Sequence, residues 1–289
     1  MKYIVFEAGS RAGMSSLLFF LDFTNGNDEL YLVDSDEIFK QTVKGRCPKV
    51  KAYTEEEFAL IYPSIENEST IFPADELTRQ KGLYQGKEWY NKVEKDFYNK
   101  IKTNERLEKF GINVPETMSM SEVFIRPNTM SAGSKGVYGL NDVCVTKKID
   151  IEQEYVVDVV YKGGTPVILD TVDMFVREVR LNKGYDKYIK FLGTNDVHYF
   201  VLDLFRKGVF GKGVFNIQIA RQRGTGKLYY IESSKRISGT SIVNLLIGYN
   251  PFNSINGIEV EQSLLVQYDK WYSYEQLLKK VYDKIPKYN

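Results

Sequence analysis

Glu232 closes an apolar run, Tyr229-Tyr230-Ile231, and Ser233, Ser234, Lys235 and Arg236 follow it before a glycine turn. A carboxylate at a strand end with a guanidinium just beyond it suits a divalent cation beside a phosphate. Hard cations take oxygen ligands, and arginine meets phosphate oxygens with a planar fork of donors. A surface strand end with a mixed-charge turn is the other reading of this stretch taken alone. The preceding residues narrow the choice. GVFNIQIA and KLYYIE read as two strands joined by the turn RGTGK, an antiparallel hairpin. Counted from the turn near Gly224 and Thr225, Gln218 and Glu232 stand about equally far out, which makes them neighbours across the ladder.

Three further stretches carry polar chemistry. In VFIRPNTMSAGSKGV a strand delivers Arg126, and the small-residue loop from Ser131 to Gly136 follows. Such a loop lets backbone N–H groups approach phosphate oxygens, with Arg126 and Lys135 adding charge. Its spacing is not that of a P-loop, and an ordinary hairpin remains the other reading. In IDIEQEYVVDVV, Glu154, Val156 and Asp158 share one strand face, and an exposed edge strand would read the same way. VREVRLNKGYDK adds Arg177 and Arg180, equally at home on a solvated basic hairpin. EAGSRAG lacks the GxGxxG spacing of a dinucleotide loop and reads as a plain strand-to-helix turn. His198 reads as a surface residue off the apolar face of its helix, and Cys144 as a half-buried strand residue.

The elements that must position these groups fall into two regions. Over residues 1–85, YIVFE, a Gly/Ser turn, an apolar helix from about Met14 to Phe23 and ELYLVD alternate as strand, turn, helix and strand. That is the βαβ pattern of an open parallel sheet. A charged helical segment over 91–110 ends at Gly111. From 122 onward strand-like runs joined by glycine turns dominate, with helices over 196–207, 240–247 and the C-terminal SYEQLLKKVYDKI, so the second region reads as α+β.

Composition excludes several function classes. Lys and Arg total 39 and Asp and Glu 38, a net charge of +1, so no global field points to nucleic acid or a membrane surface. The single histidine rules out a His-based metal cluster and argues against a Ser–His or Cys–His nucleophile. Two cysteines in unrelated contexts fit a reducing compartment. The chain starts without a signal-peptide pattern, and no run approaches the ~18 apolar residues of a membrane span. A cytoplasmic protein with no membrane partner is the expectation.

Together these stretches resemble the ATP-grasp superfamily, within it the branch of the carbamoyl-phosphate synthetase large chain and its small stand-alone ligase relatives. The resemblance runs over about residues 85–255. It is carried by NKIKTNERLEKFGINVPET, IRPNTMSAGSKGV, EYVVDVV, GVFNIQIA and YIESSKRISG, in order. It implies two α+β lobes clasping ATP behind a small Rossmann-like domain: residues 1–85, a small lobe over 86–150 and a C-terminal lobe over 151–289.

The resemblance also implies roles. Lys100 and Arg126 would hold the α- and β-phosphates, and Ser131, Gly133, Ser134 and Gly136 would close over the β/γ end. The backbone near Lys147, Lys148 and Ile149 would line the adenine, Glu154 the ribose, and Arg177 and Arg180 would face phosphate or carboxylate. Gln218, Glu232 and Ser234 would bind Mg²⁺, with Mn²⁺ as a substitute, and Arg236 would steady the transferred phosphate. Lys100, Arg126 and Arg236 are then the candidate catalytic residues. The implied reaction turns a carboxylate into an acyl phosphate that an amine attacks, with ADP released. A kinase and a non-catalytic nucleotide binder stay open as alternatives. The chain departs from the family pattern at Ser234, where asparagine is usual, at Lys235 for proline, at Asn99 for aspartate, and in a hinge without glycine. Its partners on this reading are small carboxylates and amines, and a homodimer is the default assembly.

Overall fold

The computed structural model describes residues 1–23, 27–43, 47–76, 78, 84, 87, 89–90, 97, 99–116, 123–127, 143–164, 172–182, 185–258 and 270–285. The N-terminal strands are β1 (Lys2–Phe6), β2 (Glu29–Val33), β3 (Val50–Tyr53) and β4 (Ser69–Ile71), a parallel sheet in the order β3-β2-β1-β4. Helix α1 (Arg11–Asp22) crosses from β1 to β2 and is capped by Ser10, whose side chain accepts the Gly13 N–H at 3.0 Å. Helices α2 (Glu37–Val43) and α3 (Glu55–Ile65) make the remaining crossovers around β3, and Thr54 and Glu57 close a capping box on α3. Strand order reverses at β1, so the carboxyl ends of β1 and β4 flank a switch point, where open α/β sheets gather polar loops.

Helix α4 (Lys100–Lys109) leads to a two-stranded pair, β5 (Val123–Pro127) and β6 (Val143–Lys147). The largest sheet has six strands: β7 (Ile151–Tyr161), β8 (Val172–Asn182), β9 (Tyr185–Leu192), β10 (Gly213–Gln222), β11 (Leu228–Ser234) and β12 (Tyr272–Ser273). Its order is β11-β10-β7-β8-β9-β12 and its pairs are antiparallel. The parallel-then-antiparallel division matches the α/β and α+β reading of the sequence. One detail differs: β7 is not an edge but lies between β10 and β8.

Alternation along the strands gives the large sheet two faces. One packs Val157, Val159, Phe215 and Ile217 against Val197, Val201, Leu204 and Phe205 of helix α5 (Asp196–Arg206). The other packs Val156, Val160, Phe175 and Val214 against the 3-10 helix Ser241–Ile247 and, through it, against the N-terminal sheet and α1, so both regions share one core. The helix read from the sequence over 240–247 is there, in the tighter 3-10 form over Ser241–Ile247, and its residues are all buried. Helices α6 (Pro251–Ile255) and α7 (Tyr274–Lys284) complete the packing.

His198 corrects another expectation. It is buried, not on the surface, at the third position of α5. Asn195 accepts the Val197 N–H at 3.0 Å, and the His198 Nδ1 accepts the Asn195 N–H at 3.3 Å. Burial pushes the imidazole from its ordinary 6.5 down to about 4. In the unfolded chain the ring gains its proton near 6.5, in the folded chain only near 4, so the unfolded state binds more protons between those values. Folding stability should therefore fall as pH drops through that window, and His198→Gln should flatten this limb in urea denaturation at stepped pH. Parallel curves for wild type and variant would assign the acid limb to other groups.

Candidate functional site

The β10–β11 hairpin turns at Gly224 and Gly226, whose φ values of 77° and 67° favour glycine. Gln218 pairs directly with Glu232 and Asn216 with Ser234, whereas Ile219 pairs with Tyr230. Ile231 is thus the extra residue of a bulge. That extra residue aims Glu232, rather than Ile231, at the face that Gln218 occupies. The register then carries two rows across the sheet: Arg177–Val156–Gln218–Glu232, and beside it Phe175–Asp158–Asn216–Ser234. Glu154 lies on the same face, opposite Ala220 and Val179.

Glu232 and Gln218 sit at the half-buried end of this face, and Ser234, 4% exposed, in its buried part. The Lys100 ammonium stands 2.8 Å from Glu232 Oε2, beside a small cleft lined by Phe97, Asn104, Tyr230 and Ser233. Lys100 is the first residue of α4, which Asn99 caps by accepting the Lys102 N–H at 3.0 Å. Asparagine thus serves here as a helix cap. Arg236 turns to the N-terminal region: its Nε lies 2.9 Å from Glu76 Oε1, and its Nη1 donates to the Ile237 carbonyl at 2.7 Å. The Ile237 N–H reaches the Pro73 carbonyl at 3.1 Å, and Ser15 Oγ the Gly239 carbonyl at 3.0 Å. A Cβ on Gly239 would meet the Cβ of Arg11 at 2.5 Å, so this close approach needs glycine. Glu76 follows β4, and its N–H lies 3.5 Å from Glu7 Oε2 at the end of β1, which puts Arg236 at the switch point of the parallel sheet.

Further into this face, toward the buried ends of the two rows, lies a charge pair. Arg177 Nη2 donates to Asp158 Oδ2 at 2.8 Å, with side-chain exposures of 0% and 1%. Asn244 Nδ2 joins at the same oxygen at 2.8 Å; Asn216 Nδ2 and Ser241 Oγ donate to Oδ1 at 2.8 and 2.6 Å. Arg177 Nη1 donates in turn to the Thr240 carbonyl at 3.1 Å. Arg177 therefore faces neither a ligand's phosphate or carboxylate nor solvent on a basic hairpin; its partner is the buried Asp158. A signal was present: Arg177 stands in phase with Phe175 and Val179, and Asp158 in phase with Val156 and Val160. A charge in an apolar phase of two strands marks a buried pair.

The remaining candidates lie apart from this cluster or outside the described side chains. Arg180, on the other face of β8 from Arg177, stacks over Trp271 at 4.3 Å. Lys147, Lys148 and Ile149 join β6 to β7; the Lys147 N–H donates to the Glu116 carbonyl at 2.5 Å and its ammonium lies 3.8 Å from the Glu116 carboxylate. Arg126 is placed on β5 opposite Cys144, and its side chain is outside the described residues. Ser131, Gly133, Ser134 and Gly136 also lie outside them.

Whether the residues fit Mg²⁺ is answered by the donor set. Among the described residues no group of three or more His, Cys, Asp or Glu could cage an ion. One carboxylate that already holds an ammonium, with a glutamine at the cross-strand position beside it, suits a hard cation whose other ligands come from phosphate and water. The set fits.

No family model matches the chain, and no curated protein matches it. Solved structures do. N5-carboxyaminoimidazole synthetase from Staphylococcus aureus, complexed with ADP, superposes with a TM-score of 0.62 at 13% identity, covering 91% of this chain and 80% of that one. The biotin carboxylase–βγ-ATP complex from Campylobacter jejuni gives 0.63 at 12% identity, covering 89% and 70%. The phosphoribosylaminoimidazole carboxylase ATPase subunit from Aquifex aeolicus gives 0.62 at 12%, covering 90% and 78%.

The buried Asp158–Arg177 pair has a measurable energetic consequence. Asp158→Asn leaves Arg177 buried beside a neutral amide, and breaking such a pair costs about 3–5 kcal/mol. Urea denaturation should register that loss, and adding Arg177→Met should restore part of it. An unchanged midpoint in Asp158→Asn would mean that the pair does not hold the sheet to the 3-10 helix.

Proposed function

The chain has the ATP-grasp fold, and on that premise we propose that it is an ATP-dependent ligase. It activates a carboxylate as an acyl phosphate, releases ADP and joins the acyl group to an amine. The observation that carries this reading is the pairing of Gln218 with Glu232, whose carboxylate meets the Lys100 ammonium. Two of the solved relatives were captured with ADP or a βγ-ATP ligand, which supports nucleotide binding by this fold.

The residues have a division of labour on this reading. A carboxylate oxygen of the substrate attacks the γ-phosphorus, and the bond to the β-phosphate oxygen breaks. The amine then attacks the acyl carbon, loses a proton, and inorganic phosphate leaves. Phosphoryl transfer asks mainly for positioning and charge neutralisation. Lys100 neutralises the α- and β-phosphates, and Arg126 assists from β5. Gln218 and Glu232 hold the divalent cation, with Ser234 behind them, and when bound it offsets the negative charge of the phosphates. Arg236, fixed by Glu76 near the switch point, faces the acyl phosphate as a donor to its oxygens. Glu154 takes the ribose and the Lys147–Ile149 connection the adenine.

The test is ADP release from Mg-ATP over pooled small carboxylates, with hydroxylamine as the trapping amine. ADP and hydroxamate should form together, and both should be lost in Glu232→Ala. ADP without hydroxamate would favour a kinase, and silence from every pool with ATP bound would favour a non-catalytic nucleotide binder.

A further inference from the structure

Glu232 carries the Lys100 ammonium on Oε2 at 2.8 Å and stands across the ladder from Gln218, so an ammonium and a divalent cation would both draw on the same carboxylate. We propose that Lys100 and a divalent cation compete for the Glu232 carboxylate, so that metal takes it fully only when phosphate groups draw the ammonium away. The proposal deepens the functional reading above and rests on it for the identity of the phosphate.

The carboxylate is the fixed partner. Its strand pairs in register with β10, and the bulge at Ile231 sets its direction. Lysine is the movable one, a compact charge on a flexible four-carbon stem. Its ammonium lies 2.8 Å from Oε2 with side-chain exposures of 13% for Lys100 and 26% for Glu232, so water screens the pair only in part. A second cation on this carboxylate meets like-charge repulsion strengthened by that partial burial. Arg236 does not take Lys100's place on Glu232, because its Nε is turned to Glu76 at 2.9 Å.

A phosphate changes the balance. Its oxygens attract an ammonium as strongly as a carboxylate does, and the stem of Lys100 lets the charge swing toward them. Phosphate binding thereby frees Glu232 for metal, and metal on Glu232 drives Lys100 toward phosphate. The two ligands tighten each other by the same factor, as linkage requires. Lys100 is then a relay between the nucleotide and metal positions, which makes the metal alone a poor ligand and the metal–nucleotide complex a good one.

The experiment titrates Mn²⁺ into the full chain without nucleotide, by calorimetry, for wild type, Lys100→Met and Lys100→Met/Glu232→Gln. Lys100→Met should bind Mn²⁺ at least about fivefold tighter than wild type, the lower end of usual site coupling. The double variant should lose that gain. Lys100→Gln gives the same comparison if the methionine variant folds poorly. With a non-hydrolysable ATP analogue present, Mn²⁺ affinity should rise far more in wild type than in Lys100→Met. Equal or weaker Mn²⁺ binding by both Lys100 variants, with thermal unfolding unchanged, would overturn the proposal. Absence of analogue binding would instead contradict the ATP reading, while the nucleotide-free Mn²⁺ comparison still decides the competition.

Discussion

Asp158 is a carboxylate with almost no water contact, and four donors make it tolerable: Arg177, Asn216, Ser241 and Asn244. They come from β8, from β10 and from the 3-10 helix, so one anion fastens the middle of the large sheet to the segment that follows the Glu232–Arg236 stretch. Buried charge is costly unless every lone pair is met, and that cost makes the arrangement specific. A shifted 3-10 helix would leave the anion short of partners. Arg236 and the segment after it are in turn tied to the N-terminal region, to Pro73 and Glu76 after β4 and to Ser15 on α1. The parallel and antiparallel regions thereby meet along the residues that carry the candidate chemistry.

The candidate site uses the edge of that arrangement. The buried row that holds Asp158 also holds Ser234, and the neighbouring row ends in the accessible pair Gln218 and Glu232. One inserted residue, Ile231, separates a carboxylate aimed into the site from an isoleucine aimed there. Around the carboxylate the charges are already matched: Lys100 on Glu232, Arg236 on Glu76. A polyanionic ligand with a divalent cation would exchange the Lys100–Glu232 pair for contacts to itself, which is how the inferred competition at Glu232 arises.

Much of this was legible in the sequence where the determinants are local. Strand–turn–helix alternation gave the parallel sheet, and glycine turns between apolar runs gave the antiparallel one. The hairpin count brought Gln218 to within a residue of Glu232 because a glycine turn fixes the register near it, and the bulge at Ile231 supplies the last step. Contacts between distant segments were not legible. Lys100 and Glu232, or Arg236 and Glu76, meet only through tertiary packing, and no local pattern encodes it. His198 was misjudged because helical periodicity reports the central apolar stripe and says little about a capping-box position at its margin. Arg177 was misjudged because its charge outweighed its phase, although Phe175 and Val179 on either side mark an inward position.

On the proposed function, the Gln218–Glu232 pair and Lys100 form a metal–nucleotide site. The most direct measurement is a crystal structure of the chain with Mn²⁺ and a non-hydrolysable ATP analogue, using the anomalous signal of manganese. The account predicts a manganese peak on Glu232 beside Gln218, with phosphate oxygens at the Lys100 ammonium and Lys100 withdrawn from the carboxylate. Nucleotide bound away from this sheet face, or manganese seated elsewhere while Lys100 stays on Glu232, would contradict it.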